Sequence, residues 1–90
     1  MTKKKLSECL RREVEAWASK PFQLLSDELK QTACYVSECD DEKIHTYVYL
    51  LEANDEYLNV SVHVSNSGLF RYFFPLSHNF LVFKNGRVEK

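Results

Sequence analysis

The sequence predicts an α+β fold, in which one N-terminal amphipathic helix packs on a four- to five-stranded antiparallel meander sheet. Three observations predict it. Apolar residues recur with the helical period before Pro21, and the period changes to two after Gln31. The gaps between successive predicted strands are also too short to hold a crossover helix. We therefore expect every strand to be antiparallel and the helix to lie across one face of the sheet.

The helix is predicted over residues 4–19. Its apolar stripe consists of four side chains at spacings of four, four and three residues, namely Leu6, Leu10, Val14 and Trp17. Pro21 ends the helix, because the residue before a proline is pushed out of the α region. Residues 22–29 are expected to form a connection with one helical turn.

Five strands are predicted, over residues 32–37, 44–52, 57–65, 69–74 and 80–83. Strand three shows the clearest alternation, and its apolar side is formed by Leu58, Val60, Val62 and Val64. An acidic turn over residues 39–42 joins the first two strands, and Asn54-Asp55 starts the next turn. Pro75 stops strand four because it lacks a ladder donor. Asn85-Gly86 predicts a tight hairpin that returns through Val88.

Strand two is unusual because both of its sides are mainly apolar, which is typical of a strand covered on both faces. One side carries Ile44, Thr46, Val48 and Leu50, and the other carries His45, Tyr47, Tyr49 and Leu51. A single helix covers only one face of a sheet. We name the face away from the helix the second face.

The register between strands two and three decides which side of strand two faces the helix. A two-residue turn at Asn54-Asp55 would place the tyrosines beside the valines of strand three, and a three-residue turn would place the aliphatic side chains there. We favour the aliphatic set inside, since tyrosine tolerates partial exposure. The candidate binding residues on the second face are then Tyr35, Tyr47, Tyr49 and His63.

The second face is expected to be covered. The segment over residues 75–90 could fold across it, in particular the hairpin over residues 80–88. Alternatively, it serves as a ligand platform, or a second copy packs there about a two-fold axis. The C-terminal residues are few and are needed to extend the sheet, so the chain length favours a partner.

Cysteine usage predicts a reducing compartment. The three cysteines are odd in number, whereas small secreted domains more often carry an even disulfide framework. We expect no disulfide and no catalytic cysteine, because the acidic neighbours of Cys39 should raise its pKa. Cys34 is expected to be a small core residue. Glutamates interrupt any N-terminal apolar segment, and no apolar run is long enough to span a bilayer, so cytoplasmic localisation is predicted.

No motif predicts chemistry. The three histidines lack the spacing of a helical metal pair, and the acidic residues 40–42 lack the spacing and glycine of a calcium loop. Two distant glycines cannot form a phosphate loop, and no serine has the flanking glycines of a nucleophile elbow. We therefore expect no catalytic residue, no metal site and no cofactor.

The net charge of −1 argues against nucleic-acid binding, because phosphate neutralisation supplies much of the affinity of such proteins. With 90 residues, the chain is predicted to form a single domain over residues 1–90. The expected function is that of a small non-enzymatic interaction or accessory module, homodimeric through the second face of its sheet. A small-ligand or nucleic-acid binding domain that uses the tyrosine-rich face is the alternative.

Overall fold

The computed structural model describes residues 2–66 and 76–90. The elements of these residues follow the chain as two helices and then five strands. They are α1 (Lys3–Ala18), α2 (Phe22–Glu28), β1 (Ala33–Cys39), β2 (Glu42–Ala53), β3 (Tyr57–Asn66), β4 (Leu76–Phe83) and β5 (Val88–Glu89). Each strand pairs antiparallel with the next, so the order in the sheet is the order in the chain. The predicted α+β fold, with an N-terminal helix on an antiparallel meander, is confirmed.

Helix α1 lies within one residue of its predicted bounds and packs over β3 and β4. The side chain of Thr2 accepts a hydrogen bond from the backbone N–H of Lys5, which caps the first turn. The predicted stripe is buried, and Cys9 and Ala18 are buried with it. The stripe meets the apolar side of β3, whose Leu58, Val60, Val62 and Val64 are each at most 1% exposed.

The segment after Pro21 forms a second helix rather than a connection with one turn. Pro21 immediately precedes the first residue of α2. Proline is tolerated at this end of a helix because the first backbone N–H groups have no partner within the helix. Leu25 and Leu29 are four residues apart and therefore project from one side of the helix. Both are buried in the common core, so packing of these two leucines stabilises a helix of only seven residues.

The register between β2 and β3 is the favoured one. Val48 pairs with Val62 and Leu50 pairs with Val60, so the aliphatic side of β2 faces the helices. Three residues, 54–56, connect Ala53 at the end of β2 to Tyr57 at the start of β3, as in the favoured three-residue turn. A bulge between Leu50 and Glu52 shifts the pairing by one residue, so that Ala53 pairs with Leu58.

The phase of β1 is opposite to the predicted one. Tyr35 pairs with Thr46 and Cys34 pairs with Tyr47, so the Tyr35 side chain lies on the helix-covered face. Cys34 is exposed rather than buried in the core. Both predictions fail for the same reason, because a shift of one residue in a strand exchanges its two faces.

The prediction that no cysteine forms a disulfide is wrong. Cys9 on α1 and Cys39 at the end of β1 are joined by a disulfide across 30 residues of sequence. Cys39 was expected in an exposed acidic loop, but the turn itself is only Asp40 and Asp41, both with positive φ. Cys39 therefore still belongs to the strand, on the face that α1 covers, where Cys9 meets it.

The C-terminal hairpin extends the sheet and does not cover its second face. β4 pairs with β3 and then with β5, around a turn in which Gly86 has a φ of +97°. This confirms the predicted Asn85-Gly86 turn. The predicted fifth strand, over residues 80–83, is the C-terminal half of β4. The predicted fourth strand, over residues 69–74, lies outside the described residues.

Candidate functional site

The second face is formed by alternate residues of four neighbouring strands. The β1–β4 register assigns to it Cys34, Val36, Glu38, Lys43, His45, Tyr47, Tyr49, Tyr57, Asn59, Ser61, His63, Ser65, Ser77, Asn79, Leu81 and Phe83. Both described helices lie on the opposite face. Among the described residues, therefore, no secondary-structure element covers this side of the sheet.

The structure brings three of the four predicted binding residues together. Tyr47 and His63 are cross-strand partners, and Tyr49 follows Tyr47 on the same side of β2. Tyr35, the fourth, lies on the other face, so the prediction that it joins them is wrong. Val36 and Cys34 take its place on the second face, and sequence analysis missed both of them.

An exposed apolar strip runs along the β1–β2 side of the second face. Val36 is 53% exposed and Tyr47 is 44% exposed, and the exposed Cys34 is the direct cross-strand neighbour of Tyr47. We name these three residues the β1 strip. A shallow hollow of about 170 Å³ lies along it, lined also by His45. Large apolar side chains that remain exposed side by side are typical of interaction sites.

The centre of the second face carries a hydrogen-bonded group of three polar side chains. The His63 Nε2 atom lies 2.8 Å from the Ser61 hydroxyl and 3.1 Å from the Tyr49 hydroxyl. The rings of Tyr49 and His63 are stacked, with centroids 5.3 Å apart and planes 15° from parallel. Together these contacts hold both rings in fixed orientations, and Ser61 is buried beneath them.

This group does not assemble a nucleophile. A serine hydroxyl becomes nucleophilic when a histidine takes its proton and a third group orients the imidazole. Ser61 and His63 supply the first contact, but among the described residues no carboxylate hydrogen-bonds to the His63 ring. The arrangement instead presents rigid aromatic and hydroxyl groups at a surface, which suits binding.

The other tyrosine cluster is structural. Tyr35 accepts a 2.8 Å hydrogen bond from the Trp17 indole N–H and donates one of 2.8 Å to the Glu13 carboxylate. Burial raises the pKa of Tyr35 to about 12; the Trp17 hydrogen bond opposes this shift, and the Glu13 carboxylate adds to it. The hydroxyl therefore stays protonated and joins α1 to β1.

The disulfide gives the sheet a second attachment to α1. Arg12 Nη1 lies 3.6 Å from the Cys39 sulfur, at the wall of a small hollow of about 130 Å³. An Asp40 carboxylate oxygen lies within 4.8 Å of both sulfurs. Thiolates, rather than disulfide sulfurs, bind metal ions, so this group is not a ligand set in the oxidised form.

Comparisons with protein-family models, with curated proteins and with solved structures find no match for this chain. Within residues 2–66 and 76–90, neither helix has the length and apolar content to cross a membrane.

Proposed function

We propose that this protein is a small non-enzymatic interaction module that self-associates through the β1 strip of its second face. The observation that carries the proposal is the exposure of Val36 and Tyr47 beside Cys34, on a face that the described helices leave open. Burying such side chains contributes about 25 cal/mol for each Å² of apolar surface removed from water. A second copy offers the same strip, which makes a two-fold contact self-complementary.

The test is the effect of a charge placed on the strip. Val36→Glu is compared with wild type by sedimentation velocity over a range of protein concentrations. Leu24→Glu is the matched control, because Leu24 is 41% exposed but lies on α2, away from the second face. We expect wild type and Leu24→Glu to dimerise and Val36→Glu to remain a folded monomer. A wild-type protein that is monomeric at every concentration would overturn the proposal.

A small-ligand site is the second candidate, and the Tyr49–His63–Ser61 group favours it. Beside this group, the side-chain oxygen of Asn59 is buried without a hydrogen-bond partner in the described part of the chain. A ligand with a ring to stack on Tyr49 and a donor for Asn59 would suit these side chains. Binding of a small aromatic amide that shifts the His63 ring resonances in wild type, but not in Asn59→Leu, which lacks the acceptor oxygen, would support this candidate.

Nucleic acid remains an unfavoured partner for this face. The net charge is −1, and the second face contributes both Glu38 and Lys43, which are cross-strand partners. We expect no salt-sensitive binding of duplex DNA or single-stranded RNA near physiological salt. Micromolar binding that weakens steeply as salt is added would contradict this expectation.

Cytoplasmic localisation also stays a prediction. The disulfide removes one of the arguments for it, because disulfides persist mainly in oxidising compartments. Fractionation of the native host with thiol trapping before lysis tests the prediction: cytoplasmic protein with Cys9 and Cys39 reduced would agree with it, and oxidised protein outside the cytoplasm would contradict it.

A further inference from the structure

Strand β1 forms one edge of the sheet, and within residues 2–66 and 76–90 a defined set of its main-chain groups has no strand partner. The β1–β2 hairpin has a two-residue turn, Asp40-Asp41, and both residues have the positive φ of a type I′ turn. In such a hairpin the flanking pair, Cys39 and Glu42, exchanges hydrogen bonds, and hydrogen-bonded pairs then alternate along the strands. The N–H and C=O groups of Cys34, Val36 and Glu38 therefore point away from β2, toward the open edge.

The β1 edge carries one of the features by which natural sheets block edge pairing, the charge of Glu38, and lacks several others. Such features include charged side chains, proline, a bulge, or a very short strand. β1 spans seven residues with no proline or lysine, and its pairing with β2 has no register shift. The opposite edge of the sheet ends in β5, which has only two residues. β5 pairs only with Leu81 and Val82, so residues 76–80 of β4 form the rest of that edge in the described part of the chain. This stretch carries Ser77, His78 and Asn79, whereas β1 is open over seven residues and exposes Val36 and Cys34, which makes β1 the better acceptor of another strand.

We infer that β1 pairs antiparallel with β1 of a second copy, about a two-fold axis at Val36, to form one sheet across both molecules. This inference rests on the proposed function and names how the β1 strip is used. The occupant is an extended strand because free main-chain donors and acceptors in a row are satisfied by another strand. The same residues that present these groups also place their side chains on the second face.

The register follows from which residues carry the free groups. In an antiparallel ladder, residues whose main-chain groups point at each other must be directly opposite. An axis at Val36 places Val36 opposite its own mate and Cys34 opposite Glu38, so all three outward-facing residues of each strand are paired. This register makes up to about six main-chain hydrogen bonds, whereas an axis at Tyr35 leaves Glu38 outside the strand pairing.

Side chains favour the same register. Val36, which is 53% exposed, is brought about 5.5 Å from its mate between Cα atoms, so the two side chains bury each other. Glu38, the only charged residue of β1, is opposite the neutral Cys34 rather than its own mate. An axis at Glu38 would instead set like charges opposite each other, which destabilises a strand pair.

Val36→Pro tests the main-chain pairing directly. Proline removes the outward N–H of residue 36, but this N–H takes no part in the ladder with β2, so the hairpin itself is preserved. Val36→Ala is the control, since it shortens the side chain and keeps the N–H. In sedimentation velocity we expect Val36→Pro to weaken dimerisation at least tenfold more than Val36→Ala, with circular dichroism like that of wild type.

A cross-link tests the register without depending on the folding of the proline variant. In Glu38→Cys, residue 38 is expected opposite Cys34 of the other copy, at a Cα separation that permits a disulfide. Oxidised glutathione should then yield a covalent dimer that requires both positions. Glu38→Cys/Cys34→Ser is the first control. Glu52→Cys, at the far end of β2, is the second. Neither control should cross-link under the same conditions.

The outcomes separate this inference from the proposed function. If Val36→Glu is monomeric while Val36→Pro dimerises like Val36→Ala, the strip mediates association by packing and edge pairing is wrong. A Glu38→Cys dimer that survives the Cys34→Ser substitution would also contradict the register. If wild type never dimerises, the proposed self-association fails, and edge pairing fails with it.

Discussion

The two faces of this sheet use tyrosine in opposite ways. On the helix-covered face, the Tyr35 hydroxyl accepts a hydrogen bond from Trp17 and donates one to Glu13, both of which lie on α1. On the second face, Tyr49 stacks on His63 and Tyr47 remains 44% exposed. Residue type alone therefore does not distinguish a structural tyrosine from a surface tyrosine. The phase of the strand distinguishes them, because it decides whether the ring packs against a helix or faces solvent.

The largest effect is expected from the residue that anchors α1 on the helix-covered face. Trp17 is 8% exposed, and Trp17→Ala removes the ring from the core together with the hydrogen bond that the indole N–H donates to Tyr35. The substitution should lower the free energy of unfolding by about 3–5 kcal/mol in denaturant melts. Leu24→Ala, at an exposed position, should change it by less than about 0.5 kcal/mol. A loss below about 1 kcal/mol for Trp17→Ala would show that the ring is not an anchor.

Removal of the disulfide should lower the free energy of unfolding by nearly as much as Trp17→Ala. A cross-link that closes a loop with a sequence separation of 30 is worth about 3–4 kcal/mol on the chain-entropy model. Cys39→Ser should therefore lower the free energy of unfolding by about that amount, whereas Cys34→Ser, at an exposed position, should have little effect. Thiol titration of the folded protein gives an independent check. One reactive thiol is expected, and three would contradict the disulfide.

A smaller effect separates the two tyrosine clusters. Tyr35→Phe leaves the buried Trp17 N–H without its acceptor and should cost about 1–2 kcal/mol in denaturant melts. Tyr49→Phe removes a hydroxyl from the half-buried group on the second face, where water can replace it, and should cost less than about 0.5 kcal/mol. Equal losses for the two variants would contradict the distinction between the faces.

The burial of Tyr35 on the helix-covered face predicts that the free energy of unfolding depends on pH. Because burial raises the pKa of Tyr35 from 10.0 to about 12, the folded state favours the protonated hydroxyl. The stability from this group is fully present below pH 10 and is lost as the pH rises toward 12. In ultraviolet titration, the wild-type curve should contain a late-ionising component that the Tyr35→Phe curve lacks. Coincident titration curves would show that Tyr35 is not shielded.

The sequence predicted the helix-covered face better than the second face, for physical reasons. Aliphatic periodicity is strong where one side must be buried, so α1, β3 and the favoured side of β2 were identified correctly. β1 was placed in the wrong phase, because Tyr35 and Val36 suit either face. One signal was available: Glu38 shares its phase with Cys34 and Val36, and a charge usually points outward.

Other features had no local signal. A disulfide between Cys9 and Cys39 depends on where the first turns of α1 meet the end of β1, and residue spacing does not reveal that meeting. The bulge at the end of β2 is also set by the tertiary register rather than by glycine or proline. The register of β2 predicted that Tyr49 and His63 share one face, but the hydrogen bonds that join Tyr49, His63 and Ser61 were not predicted.

The most direct test of the central claim, that the second face beside β1 mediates self-association, is a concentration series of ¹H–¹⁵N correlation spectra. Dilution should shift the amide resonances of Cys34, Val36 and Tyr47, while that of Leu24 on α2 stays fixed. Shifts confined to the β1 strip and its edge are the result that this account predicts. Spectra that do not change between micromolar and millimolar protein, or changes centred on α2, would contradict it.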